Sequence, residues 1–317
     1  MKGFINMEIR KTMRPISHKW TPMGDDTVRE YIYFTVEYNH YRDASDSIAN
    51  EVRDCEDMRE CECVLALPDS YTEDGEETPL IISFHGSGAR VCEKDNMIGG
   101  LSFVTQCVRA GYAALDVNGS EPHGKTIGCF EHLMAAYKAY RYAVKHFNVS
   151  KSVLVAGGSM GGQSAVNFIN MFPNIVTAAG IFFPRLNMDT YDVDGHSCLG
   201  TWDKVELQNG TSPRNRIIEV HKFPTEEWCE QNTIGFNPHR IRSFVNGDGE
   251  KVVIPPCPIK IWHGTADVTI DYMMSVEYVR AIRRGGCYAE LHLLEGVGHK
   301  TTSVMRQELT MWFNRFI

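Results

Sequence analysis

Val153-Leu154-Val155-Ala156-Gly157-Gly158-Ser159-Met160-Gly161-Gly162 carries an apolar, β-branched run straight into Gly-x-Ser-x-Gly and on into residues with helical spacing. Strand, sharp turn and helix in that order make a nucleophile elbow, which lifts its serine above the end of a sheet. The glycines beside Ser159 remove side chains that would collide with the neighbouring strand and helix, and the serine is expected in a strained backbone conformation. The pentapeptide alone also occurs in ordinary loops, so its context decides. Here the preceding residues suit a buried parallel strand, and Gln163 to Phe172 keep helical spacing up to Pro173.

Outward from the elbow, short apolar runs alternate with helical patterns from Pro79 onward, the signature of βαβ units and an α/β fold with a mainly parallel sheet. The spacing predicts strands over 79–85, 112–117, 178–183, 258–263 and 289–295, and helices over 97–110, 131–147, 272–284 and 302–316. Leu133, Ala136, Tyr137, Tyr140, Val144 and Phe147 share one face of the second helix. In the last, the packing stripe is Val304, Met305, Leu309, Trp312, Phe313 and Phe316.

Two regions break the alternation. Residues 185–256 are polar and rich in glycine, asparagine and proline, and they read as a cap inserted where it can cover a site at the strand ends. Residues 1–74 read as edge strands plus decoration: 31–36 alternates like a half-buried strand and 61–67 like its partner. Between them lies a charged segment, in which Ile48, Val52 and Cys55 mark one face of a short helix. The expectation is one domain over 1–317 with these two additions.

The chain of 317 residues is 43% hydrophobic, enough for one large core. Its formal net charge of -8, without a Lys/Arg cluster, argues against nucleic acid as a partner. Lys2, Arg10, Lys11 and Arg14 are not followed by an apolar run of signal-peptide length, and no stretch approaches a membrane span, so a cytoplasmic protein is expected. In that setting the ten cysteines read as reduced, mostly buried small hydrophobes. Cys55, Cys61 and Cys63 lack the spacing and the second pair of a structural zinc site.

A serine needs a base to take its proton and a third group to orient that base. Both follow in the chain. Asp267 comes just after the strand predicted at 258–263, and His299 just after the one at 289–295, so each reaches the same sheet edge as Ser159. Asp267 could instead cap the helix beginning near Asp271, which is the alternative acid. His292 lies within a strand, and His123, His132, His196, His221, His239 and His263 read as structural or solvent-exposed.

The elbow, the order Ser, Asp, His, and the surroundings His263-Gly264-Thr265-Ala266-Asp267 and Gly298-His299-Lys300 resemble the α/β-hydrolase superfamily. The likeness runs from about Cys61 to the C-terminus and is weakest over 185–256. It implies a three-layer α/β-hydrolase fold with helices on both faces of the sheet and an inserted cap. The run Pro79-Leu80-Ile81-Ile82-Ser83-Phe84-His85-Gly86-Ser87-Gly88 is similar to the strand and oxyanion loop of the esterase and prolyl-oligopeptidase-like branches. The resemblance implies backbone donors at Met160 and at Ser87, with Gly88 as the alternative. A plain strand-ending turn, with His85 bonded locally, is the other reading of this loop.

For substrate binding, Trp202, Trp228, Tyr191 and Phe236 could line a pocket or form the cap's own core. Arg185 begins the cap, and Arg90, Glu93 and Lys94 follow the oxyanion loop; charges so placed bind polar substrates or are simply solvated. No phosphate loop, zinc-type histidine pair or dinucleotide fingerprint is present, so no cofactor is expected. The resemblance implies a serine hydrolase of carboxylic esters, its partner a small ester or esterified saccharide similar to those of acetyl and feruloyl esterases. A serine peptidase and a non-catalytic ligand-binding protein of the same fold are the alternatives, and fold alone does not decide between them.

Overall fold

In the computed structural model of the chain, Leu154 lies between Ile81 on one side and Ala178 on the other, in parallel register with both. The elbow strand is therefore central. The structure describes residues 10–12, 28–39, 58–95, 97–119, 128–186, 243–245, 251–253 and 257–317. In chain order the strands of the main sheet are β1 (Arg10–Thr12), β2 (Val28–Asn39), β3 (Met58–Pro68), β4 (Thr78–Phe84), β7 (Ala113–Val117), β8 (Val149–Gly158), β9 (Val176–Phe182), β12 (Ile259–Gly264) and β13 (Ala289–Leu294). They lie in the order β1-β2-β3-β7-β4-β8-β9-β12-β13. Every pairing from β7 to β13 is parallel, and β1, β2 and β3 extend one edge antiparallel. The short pairs β5 (Val91–Cys92) with β6 (Met97–Ile98), and β10 (Ser243–Val245) with β11 (Lys251–Val253), stand apart from it.

Successive side chains of a strand point to opposite faces, so a strand covered on both sides reads as a continuous apolar run. Leu80, Ile82, Val153, Val155 and Ile181 pack with Ala139 of α2 (Phe130–His146), Phe168 of α3 (Met160–Met171) and Tyr278 of α4 (Met273–Arg284). Ile81, Leu154 and Ala178 pack on the other face with Val108 of α1 (Thr105–Arg109) and with Leu309 and Trp312 of α5 (Ser303–Phe313). Helices thus cover both faces of a mainly parallel sheet, as expected. Each fully buried ring or branched side chain contributes about 1.5 to 3 kcal/mol of transfer free energy.

Several expectations need correction. The helix expected at 97–110 is a bridge at Met97–Ile98, a 3-10 turn over Gly99–Phe103 and then α1. A Cβ at Gly100 would stand 2.7 Å from the His85 nitrogen. Close packing of Gly100 on the end of β4 therefore governs the path here, and local helical spacing yields to it. In α5, Met305, Leu309, Trp312 and Phe313 are buried, but Val304 is 48% exposed and lies outside the stripe. The 31–36 strand pairs with 61–67 as read, yet Tyr31, Ile32, Tyr33 and Phe34 are all buried, because α2 packs against the strand and the β5–β6 segment reaches it as well, where the Tyr33 hydroxyl donates to the Met97 carbonyl at 3.5 Å. Ile48, Val52, Cys55, Tyr191, Trp202, Trp228 and Phe236 lie outside the described residues.

Candidate active site

Ser159 sits between the last residue of β8 and the first of α3 with φ 57° and ψ −123°, a region that residues with a Cβ rarely occupy. Neighbours hold it there. Its N–H donates to the Phe182 carbonyl at 3.0 Å, and its carbonyl accepts from Gly162 N–H at 3.0 Å. The turn also presses against β4, since a Cβ on Gly161 would come within 2.1 Å of the Phe84 carbonyl oxygen. Only glycine fits at that point of the elbow.

Two loops complete the arrangement from the same sheet edge. After β12, Asp267 turns back so that its Oδ1 accepts the Thr269 N–H at 2.9 Å and the Ile270 N–H at 3.0 Å. After β13, His299 places Nδ1 at 2.7 Å from Asp267 Oδ2 and Nε2 at 3.0 Å from Ser159 Oγ. A carboxylate accepts only, so Nδ1 carries the proton and Nε2 is left to accept from the Ser159 hydroxyl. Burial works to raise the Asp267 pKa, but hydrogen bonds from His263, His299 and the Ile270 N–H outweigh it and hold the carboxyl well below the usual range. Asp271 does the capping instead, with Oδ1 on the Met273 N–H at 2.9 Å at the start of α4. His292 bonds Glu308 at 2.8 Å on β13, away from this cluster.

The loop after β4 reaches Ser159 as well. A Cβ on Gly86 would lie 3.7 Å from that of Ser159, and the exposed turn Ser87-Gly88 follows directly. Met160 is the first residue of α3, where helix geometry leaves the backbone N–H without an intrahelical acceptor. Beneath the loop, fully buried His85 places Nδ1 3.1 Å from Asp116 Oδ2. The Gly100 and Val117 N–H groups donate to the two Asp116 oxygens at 2.5 and 2.8 Å. Burial raises the Asp116 pKa and His85 partly offsets it. Next to His85, burial and the charge on that ring push the His132 imidazole down to about 3.

Sequence reasoning missed two groups at this site. His263, fully buried, brings Nε2 within 3.3 Å of Asp267 Oδ2, on the oxygen that also receives His299. Its place four residues before Asp267, a polar residue closing an apolar strand, was the available signal. Phe183 has φ 35° and rests its ring 4.5 Å from the His299 ring, and no local pattern announces that contact. Arg185 lies two residues further on and is half-buried, whereas Trp202 and Trp228 are outside the described residues. Among the described residues no group of three or more His, Cys, Asp or Glu is arranged to hold a metal ion, and the seven cysteines are free. Among the same residues no helix is long and apolar enough to cross a membrane.

No protein-family model and no curated protein matches the sequence. Solved structures do. Candida antarctica lipase A superposes with a TM-score of 0.60 at 12% identity, over 97% of this chain and 80% of its own. A Mycobacterium tuberculosis puromycin-hydrolyzing peptidase gives 0.57 at 16% identity, over 81% of this chain. The chain has the α/β-hydrolase fold. Thermogutta terrifontis esterase 2, solved phosphonylated by sarin, gives 0.53 at 16% identity, over 80% of this chain and 87% of its own. The chain spans 37% of the length of the mycobacterial peptidase. At these identities the likeness is one of architecture, with strands of the same fold ending where Ser159, Asp267 and His299 meet.

Proposed function

We propose that this chain is a serine hydrolase that cleaves carboxylic esters through an acyl-enzyme, with Ser159 as nucleophile, His299 as base and Asp267 as the acid that orients it. The observation that carries the reading is the Ser159 Oγ to His299 Nε2 distance of 3.0 Å, with the other ring nitrogen on Asp267 at 2.7 Å. Ser159 Oγ attacks the substrate carbonyl as its proton passes to His299 Nε2. The carbonyl oxygen becomes an oxyanion, for which the Met160 and Ser87 N–H groups are the assigned donors. Collapse breaks the ester C–O bond, and His299 returns the proton to the departing alcohol. Water then repeats the sequence on the acyl-enzyme, releasing the acid and restoring the serine.

Esters are preferred to peptides because the two neighbours matched over four-fifths or more of their own length are a lipase and an esterase. Substrate selection is assigned to residues 185–256, which follow β9 and Phe183 in the chain, with Trp202, Trp228 and Arg185 as the residues to vary first. A fluorophosphonate probe with peptide mapping tests the nucleophile: label on Ser159 that is lost in His299→Ala supports the reading. An unlabelled Ser159 in folded protein removes it. A panel of p-nitrophenyl esters beside peptide p-nitroanilides then separates ester from amide cleavage.

A further inference from the structure

We propose that His263, backed by Ser275, is a positioning residue for Asp267: it fixes the direction of the carboxylate and divides its negative charge between two imidazoles. The inference rests on the Ser159–His299–Asp267 reading above and adds to it a part that the three residues do not contain.

The protonation of His263 follows from its neighbours. Nε2 faces the Ile270 carbonyl oxygen at 3.1 Å and Asp267 Oδ2 at 3.3 Å. Both are acceptors only, so Nε2 carries a proton shared between them. Nδ1 lies 2.7 Å from Ser275 Oγ, and in the neutral ring it accepts from that hydroxyl. Both His263 and Ser275 are fully buried, so the orientation of each is set by the other rather than by water. Asp267 thus faces four donors: two backbone N–H groups on Oδ1, and His299 and His263 on Oδ2. A row of polar contacts results, running Ser159, His299, Asp267, His263, Ser275, with the 3.3 Å ion-pair contact of His263 on Asp267 as its longest step.

The second imidazole has a consequence that packing alone does not have. A donor on Oδ2 stabilises the ionised carboxylate, and it also withdraws part of the charge that His299 feels. Without it, the carboxylate holds a protonated His299 more strongly, and the base stays occupied to higher pH. The elbow offers Ser159 and the end of β9 the Phe183 ring, while Asp271 is engaged on the Met273 N–H. Glu277 lies two positions beyond Ser275 on α4, off its face by helical spacing.

The test is the pH dependence of Ser159 modification by a fluorophosphonate, measured on the full chain and on His263→Leu, His263→Gln and Ser275→Ala. Losing the donor in His263→Leu should move the midpoint of the acid limb upward by roughly 0.5 to 1 pH unit. His263→Gln, which can keep an amide N–H on Asp267, should hold the parent midpoint. Ser275→Ala, which frees the ring without removing it, should shift the midpoint upward by less, and it carries the test if the leucine variant does not fold. Slower modification with an unmoved midpoint in the folded variants would reduce His263 to packing and overturn the proposal. Failure of the parent to be modified at Ser159 would remove the underlying reading, and this inference with it.

Discussion

Ser159 and Phe183, the two residues other than glycine with positive φ among those described, end neighbouring parallel strands and meet at the same imidazole. One offers its hydroxyl to His299 at 3.0 Å, and the other its ring at 4.5 Å. Unfavourable backbone angles persist only where surroundings over-determine them. Here the surroundings are cross-strand bonds: Ser159 N–H to the Phe182 carbonyl at 3.0 Å, and Phe183 N–H to the Trp262 carbonyl at 2.7 Å.

The strain at Ser159 separates two substitutions that both remove the hydroxyl. Ser159→Ala and Ser159→Gly should each lower ester turnover by about a millionfold if the three residues act as a unit. Glycine tolerates the observed angles, so Ser159→Gly should be the more stable of the pair by roughly 1 kcal/mol in urea denaturation. Equal stability of the two would mean that the elbow is relaxed.

Asp267→Asn keeps the shape of the side chain but favours the wrong His299 tautomer, and turnover should drop by about ten-thousandfold without unfolding. Asp271→Asn still offers an oxygen to the Met273 N–H and should leave turnover and stability as they are. A large loss in the second and not the first would exchange the two assignments.

Gly161→Ala would drive a methyl into the Phe84 carbonyl, so β4 and the elbow must separate. Overpacking of this kind costs about 1 to 3 kcal/mol, and more where backbone is the obstacle. The urea midpoint should fall, and fluorophosphonate modification should slow even in the folded fraction, because Ser159 moves with the turn. A parent-like midpoint and rate would show that the contact is easily relieved.

His132 makes stability sensitive to acid. It titrates at about 3 in the folded chain, pushed down by burial and by His85, against about 6.5 when unfolded. Between those values the unfolded chain holds the extra proton, so stability rises with pH and is lost on acidification, by at most about 1.4 kcal/mol per pH unit. Replacing the ring in His132→Gln should flatten the dependence of Tm on pH between about 6 and 4. An unchanged slope would assign the acid sensitivity to other groups.

What the sequence disclosed follows from how local each signal is. Ser159, Asp267 and His299 each close an apolar run with a glycine beside or near it, and strand ends of a parallel sheet share an edge, so three local patterns were enough to bring them together. The Gly100 contact behind the missing helix turn depends on the end of β4, and the Phe183 ring on a loop more than a hundred residues later, so neither could be read from its own neighbourhood. Between these cases stands His263. Its spacing from Asp267 was visible, but the tight turn that lets Nε2 share the Asp267 oxygen appears only when Ile270 folds back over the ring.

The wide separation of the cluster along the chain also governs when it can exist. Ser159 and His299 are 140 residues apart, and β13, which presents the histidine, is the last strand of the sheet. At ordinary rates of translation, about 5 to 20 residues per second, roughly 7 to 28 seconds pass between the synthesis of the serine and that of its base. Through that interval the nascent polypeptide holds Ser159 without His299. Under the proposed reading, reactivity at Ser159 arrives only once β13 has joined the sheet and brought His299 to the serine.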